Sequence, residues 1–202
     1  MREVYKRVQA CKLDRENSPD AGRQKLALRP ALFRETNNPE NYIVVPAVSS
    51  EKRRYIPIGM LDKNTIPTNL VTIIPDATLY HFGVLISSVH MAWMRTVSGK
   101  LKSDYRYSKD IVYNNFPWCN PTEAQKATIE KTAQTILDVR AKYHDSSLAD
   151  LYDELTMPTD LRKAHIDNDK AIMEAYGFNT KMTEAEIIIE LLKKYQKLAE
   201  EN

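Results

Sequence analysis

With 202 residues and 43% apolar content, the chain can bury the core of one large domain, or of a domain with a helical extension. It has no run of eighteen apolar residues, and its charged start, MREVYKRVQACKL, lacks an apolar signal core; a membrane span and secretion are both unexpected. Five glycines and two isolated cysteines, Cys11 and Cys119, argue against a glycine-rich phosphate loop, a dinucleotide fold and a disulfide framework, and place the chain in a reducing cytoplasm.

The net charge of +2 hides a polarity. Residues 1–121 hold 18 Lys+Arg against 11 Asp+Glu, whereas residues 122–202 hold 11 against 16. A basic first part suits a polyanion, and an acidic second part suits a different partner.

In chain order, Val4–Leu13 can form a helix, which the turn cluster Asn17–Gly22 should end. Leu26–Phe33 is a second apolar patch, broken by Pro30. Three short strands are expected at Tyr42–Val45, Tyr55–Ile58 and Leu70–Ile74, each bounded by Pro, Gly or Asn. Between the first two, Ser49–Arg54 reads as a hairpin tip whose cations Lys52, Arg53 and Arg54 could meet phosphate. Residues 78–97 read as one long buried helix capped by Thr78, with Gly83 inside it for close packing and Gly99 after it.

The stretch Gly99–Trp118, GKLKSDYRYSKDIVYNNFPW, has neither a helical nor an alternating apolar period. Its four cations are interleaved with aromatics and amides, the equipment for holding a phosphate backbone and reading base edges. Lys102 is a donor suited to guanine O6 and N7, and Asp104 an acceptor suited to the cytosine amino group. Two apart in an extended segment, they would face one side and could read both members of one G·C pair. The plainer alternative is a local ion pair worth under about 1 kcal/mol. Lys100, Arg106, Tyr107, Ser108 and Lys109 are candidates for further backbone or base contact. Ile111, Val112, Tyr113, Phe116 and Trp118 should anchor the segment in the core.

After Pro121 the pattern is helical. Capping boxes at Thr122/Gln125 and Thr183/Glu186 open two helices, Leu148–Leu155 forms a short one, and Gly177 stops another that starts near Pro158. His144 and His165 read as surface or capping groups. The expected fold class is therefore α+β: a mixed recognition domain over residues 1–121, then an all-α helical domain over residues 122–202.

No metal-ligand spacing or nucleophile elbow is present. The run Asn114-Asn115-Phe116-Pro117-Trp118 has its proline in the wrong place for the Asn-Pro-Pro-aromatic tetrad of amino-methyltransferases. No catalytic residue or metal ligand is assigned.

Several motifs resemble one family in order: VSSEKRRYIP (48–57), LYHFGVL (79–85), HMAWMR (90–95), SDYRYS (103–108), IVYNNFPW (111–118), SLADLY (147–152) and LRKAH (161–165). Together they resemble the C-terminal third of MmeI-type enzymes, single-chain DNA adenine methyltransferases often fused to a restriction nuclease. One departure is Trp118-Cys119-Asn120, where the family commonly has proline after the tryptophan. The resemblance implies a DNA target recognition domain and a C-terminal helical domain. It implies double-stranded DNA and the catalytic domain of the same polypeptide as partners. It also implies S-adenosylmethionine as the cofactor of the parent enzyme, with no cofactor held in this chain. By the same resemblance, the positions of Lys102 and Asp104 vary with the base pair read. The competing expectation is a helical protein-interaction module without direct base readout.

Overall fold

The computed structural model describes residues 1–34 and 38–201. The chain folds as two compact units, Met1–Asn38 and Pro39–Asn202. In the first unit, α1 (Arg2–Glu16) is longer than its apolar pattern suggests and buries none of its residues. The Asp20 carboxylate caps α2 (Ala21–Lys25) by accepting from the Gly22 and Arg23 amides. Arg15 donates to the carbonyls of Leu26, Arg29 and Leu32, which fastens the turn that follows α2 onto α1.

In the second unit the β-branched run around Tyr42 forms β1 (Asn41–Pro46), with β2 (Val48–Ser49) just beyond it. β1 is the centre of an antiparallel sheet, flanked by β3 (Gly59–Asp62) and β4 (Val71–Pro75). The strand expected at Tyr55–Ile58 is absent, and the strand begins only at Gly59. Pro57 has no N–H to give a ladder, and the Ile58 amide instead turns back to the Ile56 carbonyl at 2.8 Å. Tyr55, Ile56 and Ile58 are nevertheless buried. Side chains satisfy this irregular backbone: Arg95 donates to the carbonyls of Arg53 and Arg54, and Arg140 to that of Ile58. Ser49–Arg54 is accordingly the start of a long connection, not a hairpin tip.

The long helix expected over 78–97 is two helices, α3 (Leu79–Leu85) and α4 (Ser88–Val97). Ser87 makes the break. Its hydroxyl donates to the Val84 carbonyl at 2.7 Å and accepts from the His90 amide at 3.3 Å, closing one helix and capping the next. The apolar period runs on through the break because α3 and α4 are both buried over most of their length. Gly83 packs as its sequence context suggests: an added Cβ would stand 2.8 Å from Ile129 Cγ2.

Beyond residue 97 come the hairpin strands β5 (Gly99–Leu101) and β6 (Asp104–Arg106), a π-helical turn at Lys109–Tyr113, and four helices: α5 (Glu123–Ala141), α6 (Leu148–Leu151), α7 (Thr159–Tyr176) and α8 (Glu184–Glu200). Both expected capping boxes are present. Gly177, at φ 71°, closes α7, with the Phe178 amide reaching back to the Met173 carbonyl. The fold is α+β. Residue 121 lies inside the second unit, where packing is continuous: Tyr176 of α7 donates to the Pro117 carbonyl, and Asn168 of α7 donates to the Gly83 carbonyl.

His165 is not a surface group. It is fully buried, stacked on Tyr55 at 4.3 Å, with Nε2 2.7 Å from the Tyr152 hydroxyl. Ile111 also departs from expectation, being half exposed at the outer side of the π turn, while Val112 and Phe116 are buried. α8 buries Ile187 and Leu191, while Leu192, Tyr195 and Leu198 stay exposed. Among the described residues no helix is long and apolar enough to cross a membrane.

Candidate nucleic-acid interface

A second antiparallel sheet, in the order β2-β6-β5, builds the site. Val48 pairs with Arg106 and Ser49 with Tyr105 on one side of β6, while Lys100 pairs with Tyr105 and Leu101 with Asp104 on the other. This register brings two cation-bearing loops to one end of the sheet. The chain leaving β2 at Ser49 runs into Glu51-Lys52-Arg53-Arg54, and β5 and β6 join through Lys102 and Ser103. The Glu51 amide donates to Asp104 Oδ1 at 3.4 Å, linking the two loops directly.

The Leu101↔Asp104 pairing leaves a two-residue hairpin turn. Such turns need a positive φ at the first central position to match the strand twist, and Lys102 adopts φ 57°. The segment is thus not extended through Lys102. Lys102 stands at the tip of the turn, and Asp104 opens the return strand. Their side chains do not pair with each other among the described residues, so the local ion pair is not what holds them. Glycine would be the low-strain choice at this φ; a lysine there holds an exposed cation on a short, defined turn at a cost of order 1 kcal/mol.

The other candidates divide. Lys52, Arg54, Lys100, Arg106 and Lys109 are exposed, and Arg53 is half-buried. Lys100 lies 3.6 Å from the centre of the Tyr105 ring, which stiffens the hairpin from within. Ser108 is half-buried, and its carbonyl accepts the Val112 amide at the start of the π turn. Tyr107 does not belong to the exposed set: it is 4% exposed, and its hydroxyl lies 3.1 Å from His90 Nε2. Strand alternation accounts for this, because β6 presents Arg106 outward and the next residue inward.

The connection after β2 borders a cleft of about 570 Å³, whose lining alternates in sign: Lys52, Arg53 and Arg54 face Glu154, Asp169 and Glu184. Within this lining Arg53 Nε is buried without a hydrogen-bond partner among the described residues. Asp169 accepts from the Tyr55 hydroxyl at 2.7 Å and from the Ser88 amide at 2.7 Å, and burial pushes its carboxyl up from the ordinary range. Neither Asp169 nor Arg95 stood out in the sequence. Asp169 lies buried in the middle of α7, and Arg95 has the signal of a cation in the last turn of α4 and of the motif HMAWMR.

The family model described as the MmeI target recognition domain matches residues 1–120, and that of the MmeI C-terminal domain matches residues 121–201. The chain is 42% identical over 198 residues to DNA methyltransferase A of Bacillus subtilis (strain 168), covering 98% of this chain and 22% of that protein. It superimposes with a TM-score of 0.91, at 42% identity, on the solved structure of the Type IIL restriction-modification enzyme MmeI in complex with DNA, covering 98% of this chain and 26% of that one. The chain spans about a quarter of the length of these relatives. It belongs to the MmeI family, matching that family's target recognition domain and the C-terminal domain that follows it.

Proposed function

We propose that the chain is the sequence-reading part of a site-specific DNA adenine methyltransferase. It positions double-stranded DNA for a catalytic domain carried elsewhere in the same polypeptide. The observation that carries this reading is the β2-β6-β5 register, which sets the Lys52–Arg54 loop beside the Lys102/Asp104 hairpin. Lys52, Arg53, Arg54, Lys100, Arg106 and Lys109 supply phosphate contacts, with Ser108 beside them. Lys102 and Asp104 read one base pair, favouring G on the strand that Lys102 meets. Residues 1–121 act as the recognition module and residues 122–202 as the helical module that supports it. Two free cysteines, Cys119 buried, fit a reducing cytoplasm.

Methylation would use S-adenosylmethionine, and the described residues do not fit a site for it. Of the five glycines only Gly177 has a positive φ, and it closes α7. We assign the methyl donor to the catalytic domain of the same polypeptide.

The test exchanges the two reading groups in the methyltransferase that carries this chain. Lys102→Asp with Asp104→Lys should move the preferred base at one position of the methylated site from G to C. The discrimination should change by about 1–3 kcal/mol, the worth of one well-formed base contact. Aspartate tolerates the positive φ at 102, so the turn survives the exchange. Methylated sites mapped by sequencing and found unchanged would remove the assignment.

A further inference from the structure

We propose that Arg95 and Glu184 form a clamp by which the C-terminal helices set the shape of the DNA-facing loop. Both are positioning residues, and this use of them rests on the DNA reading above. Arg95 Nη2 donates to the Arg54 carbonyl at 2.9 Å and to the Arg53 carbonyl at 3.4 Å, while Nη1 donates to Glu184 Oε2 at 2.8 Å. The guanidinium therefore spans from the backbone of the cationic loop to the first residue of α8. A planar fork can do this, and a lysine cannot.

Three observations make the contact more than a surface pair. The Arg95 side chain is only 22% exposed, so solvent screens it less than an ordinary surface cation. Glu184 follows the Thr183 cap, where the Thr183 amide and hydroxyl both donate to Glu186 Oε2, so the end of α8 that carries it is ordered. Among the described residues the loop has no ladder partner between Ser49 and Gly59, so beyond its own local turns its backbone is held by side chains. Arg95 holds residues 53 and 54, Asp169 of α7 holds the Tyr55 hydroxyl, and Arg140 of α5 holds the Ile58 carbonyl. Of these anchors, Arg95 alone acts on the residues that carry the phosphate-facing cations.

The clamp and plain electrostatics predict opposite signs for one variant. Glu184→Gln removes a negative charge near Lys52, Arg53 and Arg54, so charge alone predicts tighter duplex binding. Glutamine keeps an oxygen for Arg95 but loses the charge that strengthens the bond, and a weakened clamp predicts weaker binding, because the cations are less firmly pre-set. The expected result, in the 202-residue chain, is a Kd for a DNA duplex about threefold to tenfold higher at low salt, with the melting temperature shifted by no more than about 2 °C. Arg95→Lys, which keeps the charge and loses the fork, should behave alike. Glu190→Gln removes the same charge from α8 at an exposed pair with Lys193, and should leave binding unchanged or slightly tighter.

Limited trypsin digestion reads the loop without DNA. Cleavage after Lys52, Arg53 and Arg54 should be roughly fivefold or more faster in both clamp variants and unchanged in Glu190→Gln. Unchanged cleavage in Glu184→Gln and Arg95→Lys overturns the clamp. So does duplex binding by Glu184→Gln as tight as that of Glu190→Gln. Faster cleavage in a chain that holds no duplex even unmodified upholds the clamp and overturns instead the DNA reading on which its use rests.

Discussion

Between pH 7.5 and 5 the fold should lose stability through two buried histidines, about 2 kcal/mol of it through His90 and a further part through His165. Both side chains are fully buried, and both Nδ1 atoms lack a partner among the described residues. Burial lowers the His90 ring to about 3. Its nearest polar and aromatic neighbours are uncharged: Nε2 meets the Tyr107 hydroxyl at 3.1 Å, and the Phe116 ring stands edge-on at 4.6 Å. His165 is held well below its ordinary value, by burial first and then by the charges of Arg140 and Arg54. In the unfolded chain both should titrate near 6.5. A depressed folded pKa gives stability that is fully present above 6.5 and is lost as pH falls toward the folded value. Between those two values His90 costs about 1.4 kcal/mol per pH unit, a large part of the roughly 5–15 kcal/mol that holds an ordinary domain, and His165 acts in the same direction. Asp169 works the other way. Its raised pKa contributes stability that is present at low pH and lost as pH rises through the folded value, so it offsets part of the histidine loss in the window above 3.8. Urea denaturation at pH 7.5 and pH 5 measures the drop. His90→Gln and His165→Gln should each flatten the profile, and variants whose stability falls with pH in parallel with the unmodified chain would contradict the assignment.

Arg140→Met should lower stability by about 3 kcal/mol and the melting temperature by roughly 6–12 °C. Arg140 is 9% exposed and has no carboxylate partner among the described residues. Its Nε donates to the Tyr152 hydroxyl at 2.7 Å, Nη2 to the same oxygen, and Nη1 to the Ile58 carbonyl at 2.7 Å. The cation also faces the Phe82 and Tyr152 rings. Methionine fills much of the volume but leaves the Ile58 carbonyl buried without a donor, in a segment that has no ladder to fall back on. Arg140→Lys should recover about half of the loss. Removing the Arg140 charge also relieves His165, so the acid sensitivity should shrink in the same variant. A melting temperature within about 2 °C of the unmodified chain would show that the acceptors find other partners.

The elements that read correctly from sequence are those set by local chemistry. Both capping boxes, the Gly177 stop, the close packing at Gly83 and the strands around Tyr42 and Val71 each follow from residues within one turn or one strand. Apart from the break at Ser87, which is local, the misreadings share a cause in partners distant along the chain. Tyr55–Ile58 has strand composition, yet Arg95, Arg140 and Asp169 satisfy it from three helices. The 78–97 helix is broken by Ser87, whose hydroxyl competes with the ladder although the apolar period never falters. His165 looked polar and exposed in an acidic helix because its partners Tyr55 and Tyr152 lie far off in sequence or in another element. The candidate site was half legible. Its cations could be named from composition and motif, but the pairing of β2 with β6 could not, and that pairing is what sets them side by side. Tyr107 was misplaced for the same reason, since its inward direction depends on where β6 begins and ends.

Salt-dependent binding of a DNA duplex to this chain tests the central claim most directly. The cations assigned to phosphate are Lys52, Arg53, Arg54, Lys100, Arg106 and Lys109. If three to six of them engage, the logarithm of the association constant should fall against the logarithm of salt concentration with a slope between about −3 and −5. Neutralising Arg54 or Arg106 should make the slope shallower by about one while leaving sequence preference intact. No duplex binding at low salt, or binding whose affinity is indifferent to salt, would contradict the claim that this surface holds DNA.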